Sequence, residues 1–194
     1  MNFSFPQHLP ETRKGQNGKV LVVGGNEIYH GAPILAGLGA KKAGTDLVTM
    51  VVPKKLETVV RSHSLHFLVH TFHQNFLKHK DIAFILNLAQ SHDVLLIGNG
   101  LGKKNETQKA VMDILSQIKI PAVIDADGFF PEILKLKRQS PWILTPHDQE
   151  FERIFYCYAS DKNIQEMTKE HHLTILKKGQ VDIIADSKGE FYEN

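Results

Sequence analysis

Two carboxylates spaced by a single residue, Asp125 and Asp127, follow the apolar run Pro121-Ala-Val-Ile. At the carboxyl end of a strand in an open parallel sheet such groups face a ligand. They are candidates there for magnesium, for phosphate-bound water or for loop orientation. Asp127 can equally cap a following helix. A second polar group is Thr145-Pro-His-Asp-Gln-Glu150, with Arg153 one turn further on. It reads as a helix start, with Thr145 as cap, Pro146 in the first position and Asp148 three residues after the cap. His147, Gln149 and Glu150 in its first turn could hold a polar ligand together with free backbone donors, or simply decorate a capped surface helix. Gly98, Gly100 and Gly102 form a third group, where missing side chains let backbone N–H groups approach a phosphate or a polar substrate edge. The histidines His63, His66, His70, His73 and His79 read instead as solvated, because their spacing alternates between helical and extended registers with no recurring acidic ligand.

These groups need strands to aim them. Val94-Leu-Leu-Ile97 is an uninterrupted apolar run, as expected of a strand buried on both faces, and it empties into the glycine turn. The helix after it is predicted from Ala110, Val111, Ile114, Leu115 and Ile118, with Asn105 or Thr107 as cap. Lys19 to Val23 is a first strand ending at Gly24-Gly25, and a helix rich in small residues opens at Ala32-Pro33. Asp46 to Val52 is a further strand, followed by a helix around Lys55 to Ser62. The stretch Leu65 to Leu88 has no clear period, and Met1 to Asn17 reads as an extended lead-in. The chain from His172 reads as a strand, a Lys-Gly turn at Lys178-Gly179 and a hairpin closing at Ser187-Lys188-Gly189. The recurring unit of strand, polar turn and helix gives an α/β fold with a largely parallel central sheet.

Composition narrows the partners. The 194 residues include 23 basic and 21 acidic side chains, interspersed, which gives no basic stripe for nucleic acid. One cysteine, Cys157, leaves no internal disulfide or thiolate zinc site and fits a reducing, cytoplasmic setting. No apolar run reaches the roughly 18 residues of a membrane span.

Four ordered motifs carry a family resemblance. Gly24-Gly25 with Tyr29-His30-Gly31-Ala32-Pro33, Ile97 to Gly102, Ile124-Asp-Ala-Asp-Gly128 and Leu144-Thr-Pro-His-Asp-Gln-Glu150 together resemble the ATP- or ADP-dependent NAD(P)H-hydrate dehydratases. That family is a branch of the ribokinase-like three-layer α/β/α fold. Asn99 stands where proline is usual, and Phe129-Phe130 where leucine-asparagine is usual. The resemblance implies dehydration of hydrated NADH or NADPH with ATP or ADP and Mg2+, a carbon-oxygen lyase reaction that repairs nicotinamide cofactors. By position it places Ala32, Gly100, Gly102, His147, Asp148, Gln149, Glu150, Phe151, Glu152 and Arg153 against the hydrated dinucleotide. Lys178, Gly179, Gln180, Val181 and Asp182 fall in the nucleotide turn, where Lys178 suits a phosphate as a flexible point charge. No resident metal site is implied.

One family feature has no counterpart. The Gly-Gly-(Ser/Thr)-Gly-Asp run that supplies an anion-binding helix start and the catalytic aspartate does not occur in the sequence. The expectation is a C-terminally shortened domain over residues 1–194 that binds its substrate and turns it over poorly. Asp125, Asp127 and Glu150 are the possible substitute bases. A silent nucleotide or dinucleotide binder, and a ribokinase-like small-molecule kinase, are the alternatives. A homo-oligomer or a completing chain could supply what is missing.

Overall fold

A computed structural model describes residues 11–194, so most of the lead-in before Asn17 lies outside the described residues. Its centre is the sheet. The first strands are β1 (Lys19–Val23), β2 (Leu47–Pro53), β3 (Phe67–Phe72) and β4 (Val94–Ile97). They are followed by β5 (Ala122–Ile124), β6 (Trp142–Leu144), β7 (Thr174–Lys177), β8 (Ile183–Ala185) and β9 (Phe191–Glu193). The spatial order is β3-β2-β1-β4-β5-β6-β7-β8-β9. All pairs up to β6–β7 are parallel, while β7–β8 and β8–β9 are antiparallel.

Helices cover both faces. The helices α1 (Gly31–Lys42) and α2 (Glu57–His63) pack on one side, where Ile34, Leu56 and Val60 meet Val20, Val22, Val48, Met50 and Val52. On the other side lie α3 (Ile82–Ala89), α4 (Asn105–Gln117), α5 (Asp148–Phe155) and α6 (Asp161–Glu170), over a core that runs from Leu21 through Leu95, Ile97, Trp142 and Phe151 to Ile175. On the α1 side no helix covers the sheet beyond β4 among the described residues. Ile143 there is 38% exposed.

Small residues let α1 lie close to the sheet. A Cβ on Gly37 would stand 2.9 Å from the Met50 sulfur and 3.0 Å from the Phe67 ring. The stretch between Leu65 and Leu88 resolves into the edge strand β3 and the short helix α3. Two predicted caps are corrected. Thr107 is buried inside α4, donating to the Leu77 carbonyl, and neither it nor Asn105 caps that helix, which begins after Lys104. At α5 the cap is His147 rather than Thr145: the His147 ring accepts from the Glu150 amide, and the Glu150 carboxylate accepts from the His147 amide.

Candidate functional site

Strand order reverses between β1 and β4: β2 and β3 extend to one side of β1, whereas β5 to β7 extend beyond β4. In an open parallel sheet the crevice outside the carboxyl ends at such a switch point is where ligands bind. The loops after β1 and β4 meet there. The Gly25 amide donates to the Asn99 carbonyl at 2.8 Å, and a Cβ on Gly100 would stand 2.8 Å from the Tyr29 Cβ.

Gly98 fixes the next junction. Its φ is +120°, and a Cβ there would lie 1.9 Å from the Asp125 carbonyl oxygen and 2.8 Å from the Gly128 amide. Only glycine fits such an approach without displacing backbone. This contact seats the β4 loop on the β5 loop, where Ala126 adopts a left-handed φ of 50° between the two carboxylates.

The two carboxylates have different surroundings. Asp125 accepts from Asn99 Nδ2, Thr145 Oγ1 and Lys178 Nζ, each at 2.7 Å. It thereby ties the loops after β4, β6 and β7 to the loop after β5, and its oxygens are taken up in doing so. Asp127 accepts one bond, from the Gly102 amide at 2.9 Å. It borders a cavity of about 530 Å3 lined by Tyr29, Ala32, Gly100, Gly102, Lys103, Ala126 and Asp127. Three residues assigned to the substrate from sequence, Ala32, Gly100 and Gly102, thus share one cavity with one of the paired acids.

The α5 segment is more divided. Glu150 is buried, with its carboxylate bonded to the His147 amide and 3.6 Å from the His147 ring nitrogen. Phe151 is fully buried and packs at a tilt against Phe155 with ring centroids 4.6 Å apart, so its side chain faces the core rather than the cavity. Arg153 donates to the Phe129 carbonyl. Asp148 pairs with Lys177 at 3.4 Å, while Gln149 and Glu152 are exposed.

The turn after β7 lies beside Asp125 through Lys178, whose side chain is 41% exposed. The Lys178 amide donates to the Pro146 carbonyl, and the Asp182 carboxylate closes the turn by accepting from the Gly179 amide at 3.0 Å. Gln180 and Val181 are exposed. Sequence reasoning missed the ion pair between Lys178 and Asp125, which are 53 positions apart. It also passed over Lys103.

Among the described residues no three His, Cys, Asp or Glu side chains converge as a metal centre. His73 binds the buried Asp81 carboxylate at 2.6 Å instead. No helix of the described residues is long and apolar enough to cross a membrane.

Comparison with known proteins adds three relatives. The chain is 37% identical over 191 residues to an ADP-dependent (S)-NAD(P)H-hydrate dehydratase of Nitrosopumilus maritimus, covering 94% of this chain and 66% of that protein. A ribokinase-like superfamily protein from Enterococcus faecalis superimposes with a TM-score of 0.85 at 23% identity, over 98% of this chain and 67% of the other. An ADP/ATP-dependent NAD(P)H-hydrate dehydratase from Bacillus subtilis, co-crystallized with ATP/Mg2+, gives a TM-score of 0.82 at 24% identity, over 97% and 67%. The fold is therefore ribokinase-like. The chain spans between 33% and 66% of the length of the first curated relatives it matches. Residues 20–194 match the Carb_kinase profile, described as NAD(P)H-hydrate dehydratase, over most of the chain. Four motifs, their meeting at one end of the sheet and that match agree, and the chain belongs to the NAD(P)H-hydrate dehydratase family.

Proposed function

We propose that the cavity at the β1–β4 switch point holds the hydrated nicotinamide of NADH or NADPH, and that these residues form the dinucleotide side of an ATP- or ADP-dependent dehydration site. The observation that carries this reading is the meeting of Ala32, Gly100, Gly102 and Asp127 around about 530 Å3, enough for a ring and its ribose. The nucleotide lies beside the Lys178–Asp182 turn. There Lys178 exchanges its bond to Asp125 for a phosphate oxygen, which its partial exposure allows.

Asp127 is the base in this reading, because the oxygens of Asp125 and Glu150 are engaged within the fold. It takes the proton of the ring hydroxyl as that oxygen bonds to the terminal phosphorus and the shortened nucleotide departs. The carbon–oxygen bond then breaks with the ring-nitrogen lone pair pushing out phosphate. Loss of a proton from the adjacent ring carbon restores the double bond. Magnesium fits as an ion carried by the nucleotide phosphates with at most one or two carboxylates, and it would neutralise charge on those phosphates.

Turnover by these residues alone is slow, since no Gly-Gly-(Ser/Thr)-Gly-Asp run supplies a second set of donors for the developing phosphate charge. The test follows recovery of NADH absorbance from its hydrate with ATP or ADP and Mg2+, beside the Nitrosopumilus maritimus relative. The expected result is slow, nucleotide-dependent recovery, reduced by about 10² or more in Asp127→Asn. Recovery that ignores the nucleotide would overturn the reading, and rates equal to the relative's would overturn the assignment of slow turnover.

A further inference from the structure

A second cavity, of about 250 Å3, adjoins the first across Gly102 and is lined by Asn26, Glu27, Ile28, Asn75, Phe76, Leu101, Gly102 and Lys104. Nothing in the reaction described above uses it. One of its lining residues, Phe76, has two ammonium groups held against its ring, Lys104 from within the lining and Lys78 from beside it. Lys104 Nζ lies 3.9 Å and Lys78 Nζ 4.5 Å from the Phe76 centroid.

The charges around the ring are uneven. Glu27 is held by Lys55 at 2.6 Å and also feels the Lys104 charge and the Asn75 carboxamide, and Lys78 is 3.6 Å from Glu106; no carboxylate of the described residues lies within ion-pair distance of Lys104 itself. Two like charges on one ring repel each other, and the ring quadrupole offsets only part of that. An anion near both would offset the rest. Lys104 also precedes the first turn of α4, a helix of 13 residues whose N-terminus carries no side-chain cap, so open amides and the positive dipole end lie at the same corner.

A dinucleotide has two ends, and the two cavities meet at a single glycine. Resting on the proposed function, we propose that the adenosine end lies across Gly102 over Phe76, and that Lys104 and Lys78 bind a phosphate on its ribose 2′ position. The chain then discriminates hydrated NADPH from hydrated NADH. A 2′-hydroxyl gains little from two ammonium groups, whereas a 2′-phosphate gains charge-assisted hydrogen bonds from each. As Lys104 turns from the Phe76 ring to the phosphate, it frees that ring for the base, beside Asn75, whose carboxamide is bonded to Glu27.

The experiment is calorimetric titration of the chain with hydrated NADPH and hydrated NADH, repeated on Lys104→Gln and on the double variant Lys78→Gln/Lys104→Gln, with inorganic phosphate as a separate titrant. The expected result is hydrated NADPH binding at least about tenfold tighter than hydrated NADH, the scale of one charge-assisted contact. The difference should shrink in Lys104→Gln and vanish in the double variant, with the loss falling more on hydrated NADPH than on hydrated NADH. Equal affinity for both hydrates in the parent would overturn the proposal and leave the nicotinamide cavity standing. A preference that survives in the double variant would overturn it too, as would inorganic phosphate binding as tightly as hydrated NADPH. Failure of both hydrates to bind would overturn the functional reading and this proposal together.

Discussion

Replacing Asp125 separates two ways a carboxylate can matter in this site. Its three donors, Asn99 Nδ2, Thr145 Oγ1 and Lys178 Nζ, come from three different loops. The Lys178 side chain is 41% exposed, so after screening its pair contributes only about 0.5 to 1 kcal/mol. Each uncharged donor to the carboxylate contributes about 1.5 kcal/mol, and leaving the buried Asn99 amide without a partner costs about 1 kcal/mol more. Asp125→Ala should therefore destabilise by about 5 kcal/mol. At a urea slope of about 2 kcal/mol/M the midpoint falls by about 2.5 M. Asp125→Asn is different. The Asn99 Oδ1 atom is buried without a partner, so a flip of that carboxamide lets it accept from the new amide, while the remaining oxygen of residue 125 still accepts from Thr145 and Lys178. We expect a loss of about 1 kcal/mol, a midpoint shift near 0.5 M. Urea unfolding of both variants checks the ordering. An asparagine variant as unstable as the alanine one, or an alanine midpoint within about 0.5 M of the parent, would refute the argument that Asp125 acts as a tie between loops.

Three further expectations concern single positions. Gly98→Ala should unfold at much lower urea than Gly31→Ala, because its Cβ would overlap the Asp125 carbonyl, whereas nothing lies within 4 Å of a Cβ on Gly31; equal midpoints would contradict the close approach of the β4 and β5 loops. Burial, with Glu166 and Glu170 nearby, pushes the Cys157 thiol up. Its alkylation by iodoacetamide should consequently rise with pH later than that of a free cysteine peptide, and an earlier rise would count against this. Burial, opposed by Glu170 and aided by Arg138, holds the His171 imidazole below its ordinary value. The unfolded chain then binds the extra proton first, so this residue's share of stability is intact above about pH 6.5 and declines as the pH falls through that value toward the lower folded one. His171→Gln should flatten the decline in urea midpoint, and an unchanged pH profile would contradict it.

Much of this site was legible in the sequence because the chemistry is local to strand ends. Apolar runs such as Val94 to Ile97 flow into glycines and acids within a few residues, so strand, turn and ligand loop are read from one segment. Elements at the margin were not legible. The edge strand β3 has one neighbour and carries His70 and an exposed Leu68, which dilutes its apolar alternation. Helix α6 shows only Ile164 and Met167 as large apolar residues in ten, too few to announce a face. Tertiary contacts explain the rest. Thr145 has the composition of a cap, but its hydroxyl is drawn to Asp125 across the sheet edge, leaving His147 to start α5. The Lys178–Asp125 pair and the contact of Lys104 with Phe76 join distant segments, and no spacing rule reaches them.

The central claim is that the hydrated dinucleotide enters the cavity between the β1 and β4 loops. Ala32 lines that cavity from the first turn of α1, so Ala32→Leu fills part of it from a half-buried position without entering the core. The direct measurement is a calorimetric titration of hydrated NADPH into the parent and into Ala32→Leu, with urea midpoints recorded for both. The account predicts binding by the parent and at least about a tenfold weaker constant in the variant at an unchanged midpoint. Equal affinity in the two proteins would contradict it.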